Sequence, residues 1–144
     1  MTRDNLRKRG IVKPLECGLC KEVETVNHLF FDCLVSRQLW GMVFEVFGII
    51  VTNFESIATR WLCNKRFLHF NVATSAVLWG IWNNRNSLVF NRNSWISMKQ
   101  VWRLVLTYLK NWQKPFKDLA QGGIVHLMEK LSSSLRAPLA LPER

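Results

Sequence analysis

The sequence predicts a mainly α fold, a small knuckle-and-helix module followed by a helical bundle, and three observations carry that reading. Apolar residues recur at three- and four-residue steps, most clearly at Met98, Val101, Trp102, Val105, Leu109 and Trp112, which is the period of a helix with one buried face. Glycine and proline punctuate the chain at Gly10, Pro14, Gly48, Pro115 and Gly122–Gly123, where helices stop. Three of the four cysteines crowd with a histidine into "CGLCKEVETVNHLFFDC", Cys17 to Cys33, ahead of the long helical stretches.

Taken in order, "TRDNLRKRG" reads as a short helix with Thr2 as N-cap, Asp4 in the first turn, basic residues in the last and Gly10 as its stop. Pro14 favours an extended approach to Cys17. The next helix starts at Thr25 as cap and runs to Gly48, with Val26, Phe30, Leu34, Trp40, Phe44 and Phe47 forming an imperfect stripe. "IIVTNF" reads as a short strand or a turn, and "SIATRWLC" as a helical turn or two. From Val72 to about Val89 the pattern is apolar on most sides through Trp82, as expected of a central helix touched by several neighbours. A further helix runs from Ser97 to Trp112, with Lys99, Arg103 and Lys110 off its apolar face. "IVHLMEKLSSSL" reads as a weak helix and "RAPLALPER" as an unpatterned tail. The resulting organisation is a module over residues 1–48, a helical region over 49–115 that packs on it, and a weakly structured tail over 116–144.

With 144 residues, 49% of them hydrophobic and 12% aromatic, the chain has the length of one domain. It can bury roughly two-thirds of its unfolded surface. The opening "MTRDNLRKRG" carries charges with no apolar stretch behind them, unlike a secretory signal. Unevenly spaced cysteines without such a signal point to metal binding in a reducing compartment, so the expected location is intracellular, nucleus or cytoplasm. The uncharged run "FLHFNVATSAVLWGIWNN" has nearly the length of a membrane span, but His69, Asn71, Thr74, Ser75, Asn83 and Asn84 make it a poor one. No membrane partner is expected.

Charge divides along the chain. Residues 1–59 hold 7 Lys/Arg and 7 Asp/Glu, whereas residues 60–144 hold 13 Lys/Arg and 3 Asp/Glu. All of the net +10 therefore lies beyond the cysteine cluster. Such a half can neutralise phosphates with salt-dependent affinity; it is equally the composition of solvated helix surfaces.

The cluster has the spacing C-x2-C-x7-H-x4-C through Cys17, Cys20, His28 and Cys33. Two cysteines two residues apart can face one ion, because a tight turn at Gly18 lets backbone amides point at the thiolates. Three thiolates and an imidazole form a soft tetrahedral set suited to one structural zinc ion, with no position open for substrate or water. The fold class is thus a zinc-knuckle/helix module followed by a helical bundle. The difficulty is His28 and Cys33: five residues on an ideal helix turn about 140° past a full revolution, so His28 must reach from the first turn or the helix must be distorted.

Enzymatic chemistry finds no support. A zinc deaminase places a histidine and a glutamate before its cysteine pair, and here the order is reversed. Cys63 has no identifiable base, His69 and His126 sit among apolar neighbours, and Gly122–Gly123 lack the Lys-Ser/Thr of a phosphate loop. Neither a catalytic residue nor a small-molecule substrate is expected.

"TRDNLRKRGI", then "CGLC", then "ETVNHLFFDC", Arg37 and Trp40 closely resemble the reverse transcriptase zinc-binding domain of plant non-LTR (LINE-type) retrotransposon polyproteins. The strong resemblance covers residues 2 to 40, and through "WGIWNNRNSLVFN" a looser one extends to Asn91. It implies that Cys17, Cys20, His28 and Cys33 are the zinc ligands. It also implies that RNA or DNA, and the polymerase region of a retroelement polyprotein, are partners. The family pattern is already under way at Met1, so the chain is read as N-terminally truncated, and no polymerase carboxylate motif is present.

Two functions follow. One is a zinc-stabilised nucleic-acid-binding accessory module, with Arg85, Arg92, Lys99, Arg103 and Lys110 on phosphates and exposed tryptophans free to stack on unpaired bases. The other is a zinc-stabilised interaction or scaffold module, or a retroelement remnant, in which Trp79, Trp82, Trp102 and Trp112 are core or docking surface.

Overall fold

A computed structural model describes residues 2–11, 14–61, 65–91, 93–115 and 122–138. Helix α1, Arg3–Lys8, follows an extended Thr2. It closes with Gly10 at φ +76°, where the Ile11 amide donates to the Leu6 carbonyl and the Gly10 amide to Arg7. That pair of bonds is the Schellman arrangement glycine permits. Helix α2, Leu34–Phe47, also ends on a left-handed glycine, Gly48 at φ +68°, whose amide donates to the Phe44 carbonyl at 2.7 Å. The Asn53 side chain accepts from the Ser56 amide at the start of α3, Phe54–Trp61. A 3-10 turn, Lys65–Phe67, leads into α4, Leu68–Phe90. Ser97 caps α5, Met98–Trp112, accepting from the Lys99 amide, and α6 spans Gly123–Arg136.

Helix α4 is the axis of the fold and packs against α2, α3, α5 and α6. Its lack of a single apolar face follows from this: Phe70, Ala73, Ala76, Val77, Gly80, Ile81 and Arg85 are all buried. The small residues set the approach. A Cβ on Gly80 would lie 2.6 Å from Val105 Cγ2 of α5, closer than any packed pair tolerates. One apolar core runs from Cys17 and Leu29 through α2 and α4 to Leu127 and Leu131.

Three expectations change. The continuous helix from Thr25 to Gly48 is broken at Cys33, whose φ −59° and ψ 140° are not helical. "IIVTNF" is not a strand; among the described residues the β pairing is a single bridge between Glu16 and Val23. Residues 123–136, placed in a weakly structured tail, form α6, with Ile124, Leu127 and Leu131 buried against α5, α2 and α4. Single-helix periodicity understates such an element, because its stability comes from the faces it meets. Among the described residues no helix is long and apolar enough to cross a membrane.

A buried polar contact joins the N-terminal module to the bundle. The Glu24 carboxylate, fully buried, accepts from Arg85 Nη2 at 2.6 Å, from Arg85 Nε at 3.2 Å and from the Arg3 amide at 2.8 Å. Removing one partner of a buried pair strands the other charge, which costs about 3–5 kcal/mol. Arg85→Met is therefore expected to lower the unfolding free energy of the zinc-loaded protein, measured by urea denaturation, by that order. Glu24→Gln combined with Arg85→Met keeps an acceptor for Arg3 and removes both charges, and it should recover a substantial part of the loss.

Candidate metal centre

The sequence between Leu15 and Glu24 folds as a minimal hairpin: the Glu24 amide donates to the Leu15 carbonyl at 2.8 Å and the Cys17 amide to Glu22 at 2.6 Å. The turn is closed by the Lys21 amide on the Cys17 carbonyl, and Lys21 itself takes the left-handed conformation at φ +66°. The turn therefore depends on Lys21, not on Gly18. The amides of Leu19 and Cys20 bond the Cys17 sulfur, and that of Glu22 bonds the Cys20 sulfur, as the knuckle reading expected.

The second pair of ligands comes from a distorted helix. Thr25 caps it, its Oγ1 accepting from the His28 amide at 3.0 Å. Residues His28–Asp32 then form a π-turn in which the Cys33 amide donates to the His28 carbonyl at 2.8 Å. A π-turn widens the helix by one residue per turn, so a five-residue step returns to the same face. The carbonyls this disturbs are reclaimed by α2. Trp40 Nε1 donates to Phe30 O at 2.6 Å, and Ser36 Oγ donates to Leu29 O. Cys33 sits at the break and receives the Val35 amide on its sulfur.

These two pieces bring the Sγ atoms of Cys17, Cys20 and Cys33 and a ring nitrogen of His28 within 4.8 Å of one another. A zinc tetrahedron with arms of about 2.0–2.3 Å has edges of roughly 3.3–3.8 Å, so the four donors fit one ion. Cys17, His28 and Cys33 are buried and Cys20 half-buried. Nε2 of His28 faces the cluster, 3.1 Å from the Cys20 sulfur, while Nδ1 lies 3.6 Å from a carboxylate oxygen of Glu22. A carboxylate on that side favours the proton on Nδ1 and leaves Nε2 as the ligand. Glu22 is a contributor that reading the sequence missed, since only the hairpin brings it beside the ring.

Without an ion the thiols compete for protons. The Cys33 side chain, hydrogen-bonded to Cys17, holds Cys17 down at about 5, against the opposing effect of burial. The same bond, reinforced by burial, pushes Cys33 up, and burial raises Cys20. A bound zinc ion would offset two of the three thiolate charges and hold knuckle and π-turn together; structural sites of this kind contribute about 10–16 kcal/mol of apparent binding free energy in small peptides.

The remaining expected site residues do not converge. Arg85 is not a phosphate contact: it is 1% exposed, committed to Glu24 and laid over the Trp82 ring at 5.5 Å. Arg92 and Cys63 lie outside the described residues. Arg103 and Lys110 are exposed on α5, and Lys99 donates to the Ala137 carbonyl at the end of α6. His69 is half-buried and His126 exposed, and neither joins the metal cluster.

Two outcomes are expected. Cys17→Ser or Cys33→Ser should abolish stoichiometric zinc in elemental analysis and lower helix content by circular dichroism. Zinc must displace the protons that Cys33 and Cys20 retain, so binding releases protons. Affinity measured against a competing chelator should fall as pH is lowered from about 8 to about 6.

Residues 1–40 match the family model described as zinc-binding in reverse transcriptase. No curated protein and no solved structure matches the chain. The matched segment contains the hairpin, the π-turn and all four donors. The similarity to that family is thus carried by the segment that holds the four candidate metal ligands.

Proposed function

We propose that the chain is a zinc-stabilised nucleic-acid-binding accessory module, derived from a plant non-LTR retrotransposon polyprotein and without catalytic activity of its own. The metal centre is its clasp and α5 its contact surface. Three thiolates around a dication leave a formal charge of −1, which repels phosphate, so the grip must come from elsewhere.

The observation that carries this reading is the basic stripe of α5. Lys99, Arg103 and Lys110 fall within an arc of about 40° and a length of about 17 Å on an ideal helix. Arg136 of α6 shares a surface groove with Lys110 and Glu129. No acidic residue occurs between Glu55 and Asp118, so α4 and α5 carry no acid of their own. A row of cations on one rigid helix suits a phosphate backbone and is sequence-tolerant.

Titration of the zinc-loaded protein with single-stranded RNA at two salt concentrations tests the proposal. Binding should weaken with salt, and changing Lys99, Arg103 and Lys110 together to Gln should reduce the salt slope by about 2, at roughly 0.7 per phosphate contact. Absence of binding at low salt would sink it.

A further inference from the structure

An open groove of about 360 Å³ between α3, α4 and the end of α5 is lined by Phe30, Phe54, Trp61, Trp79, Trp82 and Trp112. None of its lining residues is charged. Trp40, which belongs to the core, is 4% exposed, whereas Trp61 is 54% and Trp79 47% exposed. Trp61 and Trp79 are thus not packed as core, whereas Trp82 and Trp112 are partly buried against it.

We propose that this groove stacks the unpaired bases of a single-stranded nucleic acid, an inference that rests on the nucleic-acid reading above and names its second contact. Charge selects the occupant. Arg60 precedes Trp61 in the chain, and Lys65 and Arg66 follow it. Lys65 and Arg66 are exposed, and Glu55 beside Phe54 is the nearest acid in sequence. The complementary partner carries negative charge and flat π faces together. Duplexes cover their base faces with neighbouring pairs, while an unpaired strand offers both features at once.

The floor of the groove is prearranged. Phe30 stacks on Trp82 at 6.2 Å between centroids and meets the edge of Phe54 at 5.6 Å. Phe30 lies in the π-turn between His28 and Cys33, so the residues that gather the metal ligands also fix the aromatic floor. A platform already in place spares the ordering cost of binding.

The test uses the zinc-loaded full chain, a mixed-sequence single-stranded RNA of about 10 nucleotides and the duplex of the same sequence. Trp61→Ala and Trp79→Ala should each weaken single-strand binding about 5- to 100-fold, the range base–aromatic stacking supplies, and change duplex binding far less. Trp61→Phe and Trp79→Phe should retain most of the affinity, and the single strand should quench indole fluorescence. Circular dichroism confirms that the variants keep their helices. Single-strand binding that is unchanged in both alanine variants, without quenching, overturns the groove while leaving the α5 reading intact. Loss of all RNA binding in the parent protein overturns both. Displacement of the strand by polyglutamate at equal charge concentration would reveal bare polyanion attraction and overturn the stacking role.

Discussion

The buried carboxylate of Glu24 is the constraint on which the rest of this structure depends. It terminates the metal-binding hairpin, takes the first amide of α1 and receives the forked guanidinium of Arg85 from the middle of α4. Three segments far apart in the chain are thereby fixed to one point. The charges are costly to desolvate, and they are tolerated because the geometry is forked and the carboxylate has a third donor. Arg85 further covers the Trp82 ring, so the same guanidinium touches both the clasp and the aromatic surface.

The π-turn meets a second constraint. A histidine and a cysteine five residues apart cannot share one face of a regular α-helix, and the chain resolves this by widening one turn and then breaking at Cys33. The carbonyls left over are taken by Ser36 and Trp40 from the following helix. Leu29 and Phe31 turn inward as core, while Phe30 turns toward α4. A single distorted turn therefore supplies two metal donors, two core side chains and the floor of a surface groove.

The metal donors and the basic stripe of α5 are kept apart. The cluster is closed, thiolate-rich and flanked by Glu22, whereas Arg103 and Lys110 are exposed on α5, outside it. The aromatic residues are likewise divided: Trp40 is spent on the core, and Trp61 and Trp79 remain at the surface. That division separates the clasp from the surface beside it.

The ligand set, the helical class, the start and stop of α1 and the extent of α5 were legible in the sequence because each rests on local rules: donor type and spacing, caps and the 3.6-residue period. The difficulty of the five-residue histidine–cysteine step was legible too, although its resolution was not. Nothing local linked Glu24 to Arg85 across 61 positions, so Arg85 read as a phosphate contact until burial showed it committed. Helix α6 looked weak because its apolar face gains stability only against α2, α4 and α5. By itself the sequence determined which atoms can hold a metal and where helices run. Tertiary structure decided which charges are spent inside and which aromatic faces stay open, because burial and pairing are properties of surfaces brought together from distant parts of the chain.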